Sequence, residues 1–169
     1  MPSSPASTAR RSTSERVSSI PTGLALTAEG RRMLQDRVER LHVDVLDRLR
    51  PHLMGPDRDE RDVAQFERTL AEVARLEGII AAAAELPAPA TGKRARVAPG
   101  ALVEAETDSQ PAERMRVRIV HPEEAVLDDE RISWTSPLAR ALLGAQVGEA
   151  CEVSSPTGTW TCVVKRIAK

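Results

Sequence analysis

The sequence predicts an α+β protein, with an N-terminal antiparallel helical hairpin packed as a coiled coil, followed by a small antiparallel-sheet domain carrying one short helix. Three observations predict it. Apolar residues recur at spacings of three and four through two stretches joined by a Gly55-Pro56 turn. Short β-branched or alternating segments fill the C-terminal part, and a Pro- and Gly-containing stretch divides the two textures.

Residues 1–24 are rich in Ser and Thr, include Arg10, Arg11 and Arg16, and have neither a helical nor a strand period, so a disordered, mildly basic tail is expected. Thr27 then offers a hydroxyl to cap a helix whose seam reads Leu34, Val38, Leu41, Val45, Leu49 and Leu53. Pro51 kinks or ends that helix, because it has no N–H to donate. A second seam follows at Val63, Phe66, Leu70, Val73 and Ile80, then the Ala81 to Ala84 run. Neither seam is stable in water, and so short a connection makes the helices antiparallel neighbours, giving a hairpin over residues 25–86. An arm of about 27 residues per helix extends roughly 40 Å.

Residues 87–96, with Pro87, Pro89, Gly92, Lys93, Arg94 and Arg96, read as a linker with a basic end. Residues 97–169 form the globular domain. Leu102-Val103, Met115 to Val120, Arg131 to Trp134, Cys151 to Val153 and Trp160 to Ile167 are its strand candidates, four to six in all. Ser136 as cap and Pro137 at the first position open a helix that carries Leu138, Leu142 and Leu143 to a stop at Gly144.

Composition excludes several function classes. With 24 Lys+Arg against 25 Asp+Glu the net charge is -1, so no long-range field draws the chain to a polyanion or an acidic membrane. Aromatics are 2% of residues, too few for base-stacking platforms. No apolar run approaches the roughly 20 residues of a bilayer span, so no membrane association and a cytoplasmic location are expected. Cys151 and Cys162 have no CxxC spacing, and His42, His52 and His121 are scattered, which disfavours structural zinc. There is no GxSxG, P-loop, GxGxxG or HExxH pattern. Cys151 and Cys162 read as small core residues on neighbouring strands.

The densest chemistry lies between the helices, where Asp57, Asp59, Glu60 and Asp62 place four carboxylates in six positions. Asp59 and Asp62, three apart, project from one side of a helix's first turn and can share a cation. Magnesium is commonly held by one or two carboxylates, the rest of its shell being water and phosphate, so the pair suits a site completed by a partner. Acidic residues at a helix N-terminus also act as caps and dipole partners, a role equally open to both. Arg31, Arg32 and Arg37, with Arg40, make the base of the first helix basic enough to touch phosphate, although Asp36 and Glu39 interleave them as on a solvated face.

The run Ile132-Ser133-Trp134-Thr135-Ser136-Pro137-Leu138-Ala139-Arg140-Ala141-Leu142-Leu143-Gly144 resembles the C-terminal signature of bacterial transcription elongation factors of the GreA/GreB family. Val147-Gly148-Glu149, Pro156-Thr157-Gly158 and Val164-Lys165-Arg166-Ile167 extend the resemblance, and Leu26-Thr27-Ala28-Glu29-Gly30 with Leu76-Glu77-Gly78-Ile79-Ile80 carries it into the hairpin. The resemblance covers residues 25–169 and implies an FKBP-like globular domain.

It also implies a function. The arm would enter the secondary channel of RNA polymerase while the globular domain docks at the rim, with Ser136, Pro137 and Leu138 as partner-binding residues. Asp59 and Asp62, with Asp57 and Glu60 beside them, would help hold a Mg2+ ion shared with the polymerase, near the RNA 3′ end and the DNA. The polymerase remains the enzyme. A monomer is expected because both seams are consumed within the hairpin. Counting back from Phe66 puts Asp59 at the family's Asp and Asp62 at its Glu, while Arg58 replaces its Gly and Val63 its Asn. Cleavage of backtracked RNA and inhibition of the active site are both compatible with such a tip. A different class of function, regulation of a nucleotide-metabolising kinase, is implied by relatives that join a shorter hairpin to the same domain. Prolyl isomerisation is a third reading, with only Trp134 and Trp160 to line a site.

Overall fold

The computed structural model describes residue 21 and residues 23–54, 58–92 and 94–169. Two compact units are formed, a helical one over Gly23–Glu85 and a sheet-based one from Leu86 to Lys169. The expected disordered tail, apart from its last residues, lies outside the described residues, as do Gly55, Pro56, Asp57 and Lys93.

In the helical unit, strand β1 (Ala25–Leu26) leads into helix α1 (Ala28–Leu41) and helix α2 (Glu60–Ala82) leads out into strand β2 (Ala84–Glu85). Thr27 caps α1 by accepting from the Gly30 N–H at 2.8 Å. β1 and β2 pair in parallel, Ala25 opposite Ala84 and Leu26 opposite Glu85, fastening the hairpin where the chain enters and leaves it. The first helix is not one regular element. It passes into a π-helical segment at His42–Asp47 and closes with a 3-10 turn at Arg50–Leu53, with Pro51 in its first positions. Pro51 therefore tightens the last turn, a place where its missing N–H leaves no α-helical bond broken.

The π segment corrects the predicted seam. A π bulge adds one residue to a turn, so the inward stripe steps by five, from half-buried Leu41 to Leu46 at 1% exposure, and then to Leu49. Val45, expected in the seam, is only half-buried. In α2 the stripe follows a strict heptad through Asp62, Phe66, Thr69, Val73, Leu76, Ile80 and Ala83. Leu70, expected inside, is 48% exposed because it sits one residue, about 100°, round the helix from Thr69. Thr69 is tolerated at the interface because its hydroxyl donates to the Gln65 carbonyl at 2.9 Å.

The second unit is a five-stranded sheet in the order β5-β4-β3-β7-β6. Its strands are β3 (Leu102–Thr107), β4 (Arg114–Val120), β5 (Arg131–Ser133), β6 (Ala150–Ser155) and β7 (Gly158–Ala168). All pairings are antiparallel but one: β4 and β5 run parallel, Ile119 opposite Ile132. The expectation of a purely antiparallel sheet fails there because the chain between them forms a one-turn helix, α3 (Pro122–Ala125), which carries it back before the next strand begins. Helix α4 (Pro137–Leu142) lies against β6 and buries Ala139, Ala141 and Leu142. Gly144, at φ 79°, turns the chain out of α4 into a conformation that disfavours side chains.

Alternation sorts the strands into two faces. Val103, Ala105, Val117, Ile119, Cys151, Val153, Cys162 and Val164 are buried, while Glu104, Glu106, Arg114 and Arg116 lie on the other face. The basic end of the predicted linker belongs to this unit. Ala95 is buried, Arg96 bridges to Gln146, and the Arg96 guanidinium donates to the Gly144 carbonyl at 2.9 Å.

Candidate functional site

The acidic tip is built by the start of α2. Asp59 is its N-cap, and its Oδ1 accepts from the Arg61 backbone N–H at 2.8 Å. A cap carboxylate satisfies an N–H that the helix leaves without an intrahelical partner and faces the positive end of the dipole, which explains Asp at this position. Glu60 is exposed in the first turn. Asp62, two residues further on, is half-buried and begins the heptad stripe that continues through Phe66. Asp57 lies outside the described residues. Arg58 and Arg61, both exposed, stand beside this pair in sequence.

Among the described residues no group of three or more acidic, His or Cys side chains is placed to hold a metal ion. Asp59 and Asp62 are nevertheless the right donor type for magnesium, hard carboxylate oxygens, and two such groups are what a partly protein-held ion uses. Such a pair would fill only part of a coordination shell.

The cations near the base are placed differently from one another. The Arg31 guanidinium donates to the Ile80 carbonyl and, at 2.6 Å, to the Ala83 carbonyl. Those carbonyls belong to the end of α2, where the helix leaves acceptors unmatched and the dipole is negative. Arg31 thus ties the first turn of α1 to the last turn of α2. Arg37 is paired with Glu72 at 2.7 Å across the hairpin, both side chains being about one-third exposed, at 38% and 34%. Arg32 is exposed.

The signature run occupies β5, the following turn and α4. Ser136 caps α4 by accepting from the Ala139 N–H at 3.2 Å, Pro137 is exposed at the first helical turn, and Leu138 is half-buried. Trp134, 5% exposed, packs perpendicular to His121 at a ring separation of 5.2 Å and an interplanar angle of 89°. His121 caps α3, its Nδ1 accepting from the Glu123 N–H at 3.2 Å. Burial holds the His121 pKa below its ordinary value, partly offset by the Glu123 carboxylate.

Sequence reading does not find the ionic cluster beside this run. Glu124 is 0% exposed and Arg131 7% exposed, their Oε2 and Nη1 atoms 3.8 Å apart, and Arg131 Nε donates to Asp128 Oδ2 at 2.7 Å. The one available signal is the i,i+3 spacing of Asp128 and Arg131; nothing in the sequence marks Glu124 as buried rather than as one of two acids in a surface turn. The cluster pins the α3 crossover, and so the backbone that enters the Ser136 turn.

Comparisons with known proteins align with these elements. The family model described as "Transcription elongation factor, GreA/GreB, C-term" matches residues 92–169. The transcription elongation factor GreA of Zymomonas mobilis is 30% identical over 153 residues, covering 85% of this chain and 94% of that protein. GreA of Magnetococcus marinus is 29% identical over 143 residues, covering 79% and 90% respectively. The crystal structure of GreA factor homolog 1 of Thermus thermophilus is 29% identical, covers 86% of this chain and 99% of its own, and superposes with a TM-score of 0.37. On the strength of the sequence relatives, which span both units, the chain belongs to the GreA/GreB family of transcription elongation factors.

Proposed function

We propose that this protein binds RNA polymerase, enters its secondary channel with the helical hairpin, and slows elongation at the active site rather than rescuing backtracked complexes. Family membership supports the partner. The observation that carries the direction is the state of the two carboxylates: Asp59 is engaged as the cap of α2, and Asp62 is half-buried on the packing stripe. A shared magnesium ion would supply charge neutralisation and a more acidic bound water. Two substitutions at this tip, Asp62 and Val63, act against productive alignment of that water. Asp62 is one methylene shorter than Glu, and positional errors near 1 Å cost metal-assisted chemistry about a hundredfold. Val63 gives no hydrogen bond where an amide side chain would orient a reacting atom. A tip that reaches a metal ion and does not align its water occupies the site.

Mg2+ shared with polymerase, proximity to the RNA 3′ end, and docking through Ser136, Pro137 and Leu138 belong to the same reading. The test is a stalled, backtracked elongation complex with polymerase from the same organism, at fixed magnesium. Slowed nucleotide addition without faster RNA shortening is the expected result, and Asp59→Ala with Asp62→Ala should relieve it. Faster shortening would reverse the direction while keeping the partner. Recovery of a kinase without polymerase subunits in a pull-down would overturn the partner itself.

A further inference from the structure

Cys151 on β6 and Cys162 on β7 are direct register partners. Neither is in a disulfide, and both are buried, at 1% and 0% exposure. Because the strands are antiparallel, opposed residues project to the same face, and here that face is the inward one shared with Val153 and Val164. Directly opposed residues in such a pair have Cα atoms about 4.5–5.5 Å apart. That separation lies inside the roughly 4.4–6.8 Å that disulfides span. Burial pushes the Cys162 thiol up to about 11, and the neighbouring Cys151 adds to the rise.

β6 is an edge strand, hydrogen-bonded in the sheet to β7 alone. Peeling it away exposes both thiols together, whereas the closed hairpin keeps them protonated and inert. We propose that Cys151 and Cys162 form an intramolecular disulfide across the β6–β7 hairpin when the protein meets a low-molecular-weight disulfide such as oxidised glutathione. In the first step one cysteine thiolate attacks the oxidant, forming a mixed disulfide and expelling one glutathione thiolate. The second cysteine thiolate then attacks the protein sulfur of that bond, forming the Cys151–Cys162 bond and expelling the second glutathione. The protein gives up two electrons, and the two protons leaving its thiols end on the two released glutathiones. The bond joins residues already paired in register, so it holds the edge strand in its native place.

The experiment uses the full chain incubated with oxidised glutathione, acid-quenched, and read by intact mass and by thiol titration in denaturant. The expected result is a fall from two titratable thiols to none, a mass loss of two hydrogen atoms, and a monomer on a non-reducing gel. The urea midpoint of the oxidised protein should rise and return on reduction, because the link closes a short loop in the unfolded chain. Cys151→Ser should leave Cys162 either unreacted or carrying a glutathione adduct. Two persistent thiols in the wild type, glutathione adducts in place of the internal bond, or covalent dimers would overturn the proposal. So would an oxidised protein with a lower urea midpoint, since the bond would then form only by distorting the hairpin.

Discussion

The two units of this chain solve burial in opposite ways. The helical unit excludes water along a single line, Leu34, Leu46 and Leu49 against Val73 and Leu76, and its polar groups at the helix ends serve as caps. The sheet unit encloses a core between strands and helix, and it places charges inside, Glu124 against Arg131, where only a partner makes them tolerable. The difference teaches what each unit is suited to. A one-line core leaves the far end of an arm with little to hold it except caps, so its chemistry is readily altered by substitution. An enclosed core with a buried ion cluster fixes one surface, that of the signature run, against change.

The largest effect expected from breaking this contrast is in the sheet unit. Glu124→Ala removes the fully buried partner of Arg131, leaving the guanidinium only the part-exposed Asp128, and should cost about 3–4 kcal/mol, read from urea unfolding of the full chain. In the helical unit, Leu76→Ala should cost about 2–4 kcal/mol, because a line of contacts relaxes into a cavity more easily than an enclosed core. Its companion Leu70→Ala, on a residue that is 48% exposed, should stay within about 0.5 kcal/mol; equal losses at the two positions would show that the stripe is misplaced. Arg31→Ala should cost about 1–2 kcal/mol through loss of charged hydrogen bonds to the end of α2, while Arg31→Lys, which has no planar fork, should restore only part of it.

The smallest effect is a pH dependence. His121 is held below its ordinary pKa of 6.5 in the folded chain. Above 6.5 it is neutral in both states; as pH falls below that value the unfolded chain takes up a proton that the folded chain resists, and stability declines. Protonation also removes the Nδ1 acceptor that caps α3. His121→Asn keeps a capping side chain without titrating, so the gap between wild type and variant in urea midpoint should widen in the variant's favour from pH 7.5 to pH 5.5 as set by the buffers.

Local chemistry was legible in the sequence wherever it acts over one turn. Thr27, Ser136, Pro137 and Gly144 each do what their residue type predicts at a helix start or stop, and the strand segments lie where β-branched residues alternate. The seams were legible in period but not in phase. Leu46 replaces Val45 because one extra residue enters the helix at His42–Asp47, an event that hydrophobic spacing alone does not announce. Thr69 displaces Leu70 because the heptad, set by Phe66 and Val73, outranks the greater hydrophobicity of its neighbour. At the candidate site, the position of Asp59 at a helix start was readable, whereas the attachment of Arg31 to carbonyls 49 and 52 residues away was not, since no local pattern encodes a long-range cap.

That attachment sets the order in which the arm can assemble. Joining residues some fifty positions apart in an open chain carries a closure entropy that grows with the logarithm of their separation. If the helices zip together from the turn between them, each added heptad shortens the remaining free loop, and Arg31 meets Ile80 and Ala83 almost without further search. Run backwards, that route opens the clasp first, so the Arg31 hydrogen bonds guard the end from which the arm unzips. Arg31→Ala should therefore speed amide exchange in the last turn of α2, near Ile80 and Ala82, far more than in its first turn at Glu60.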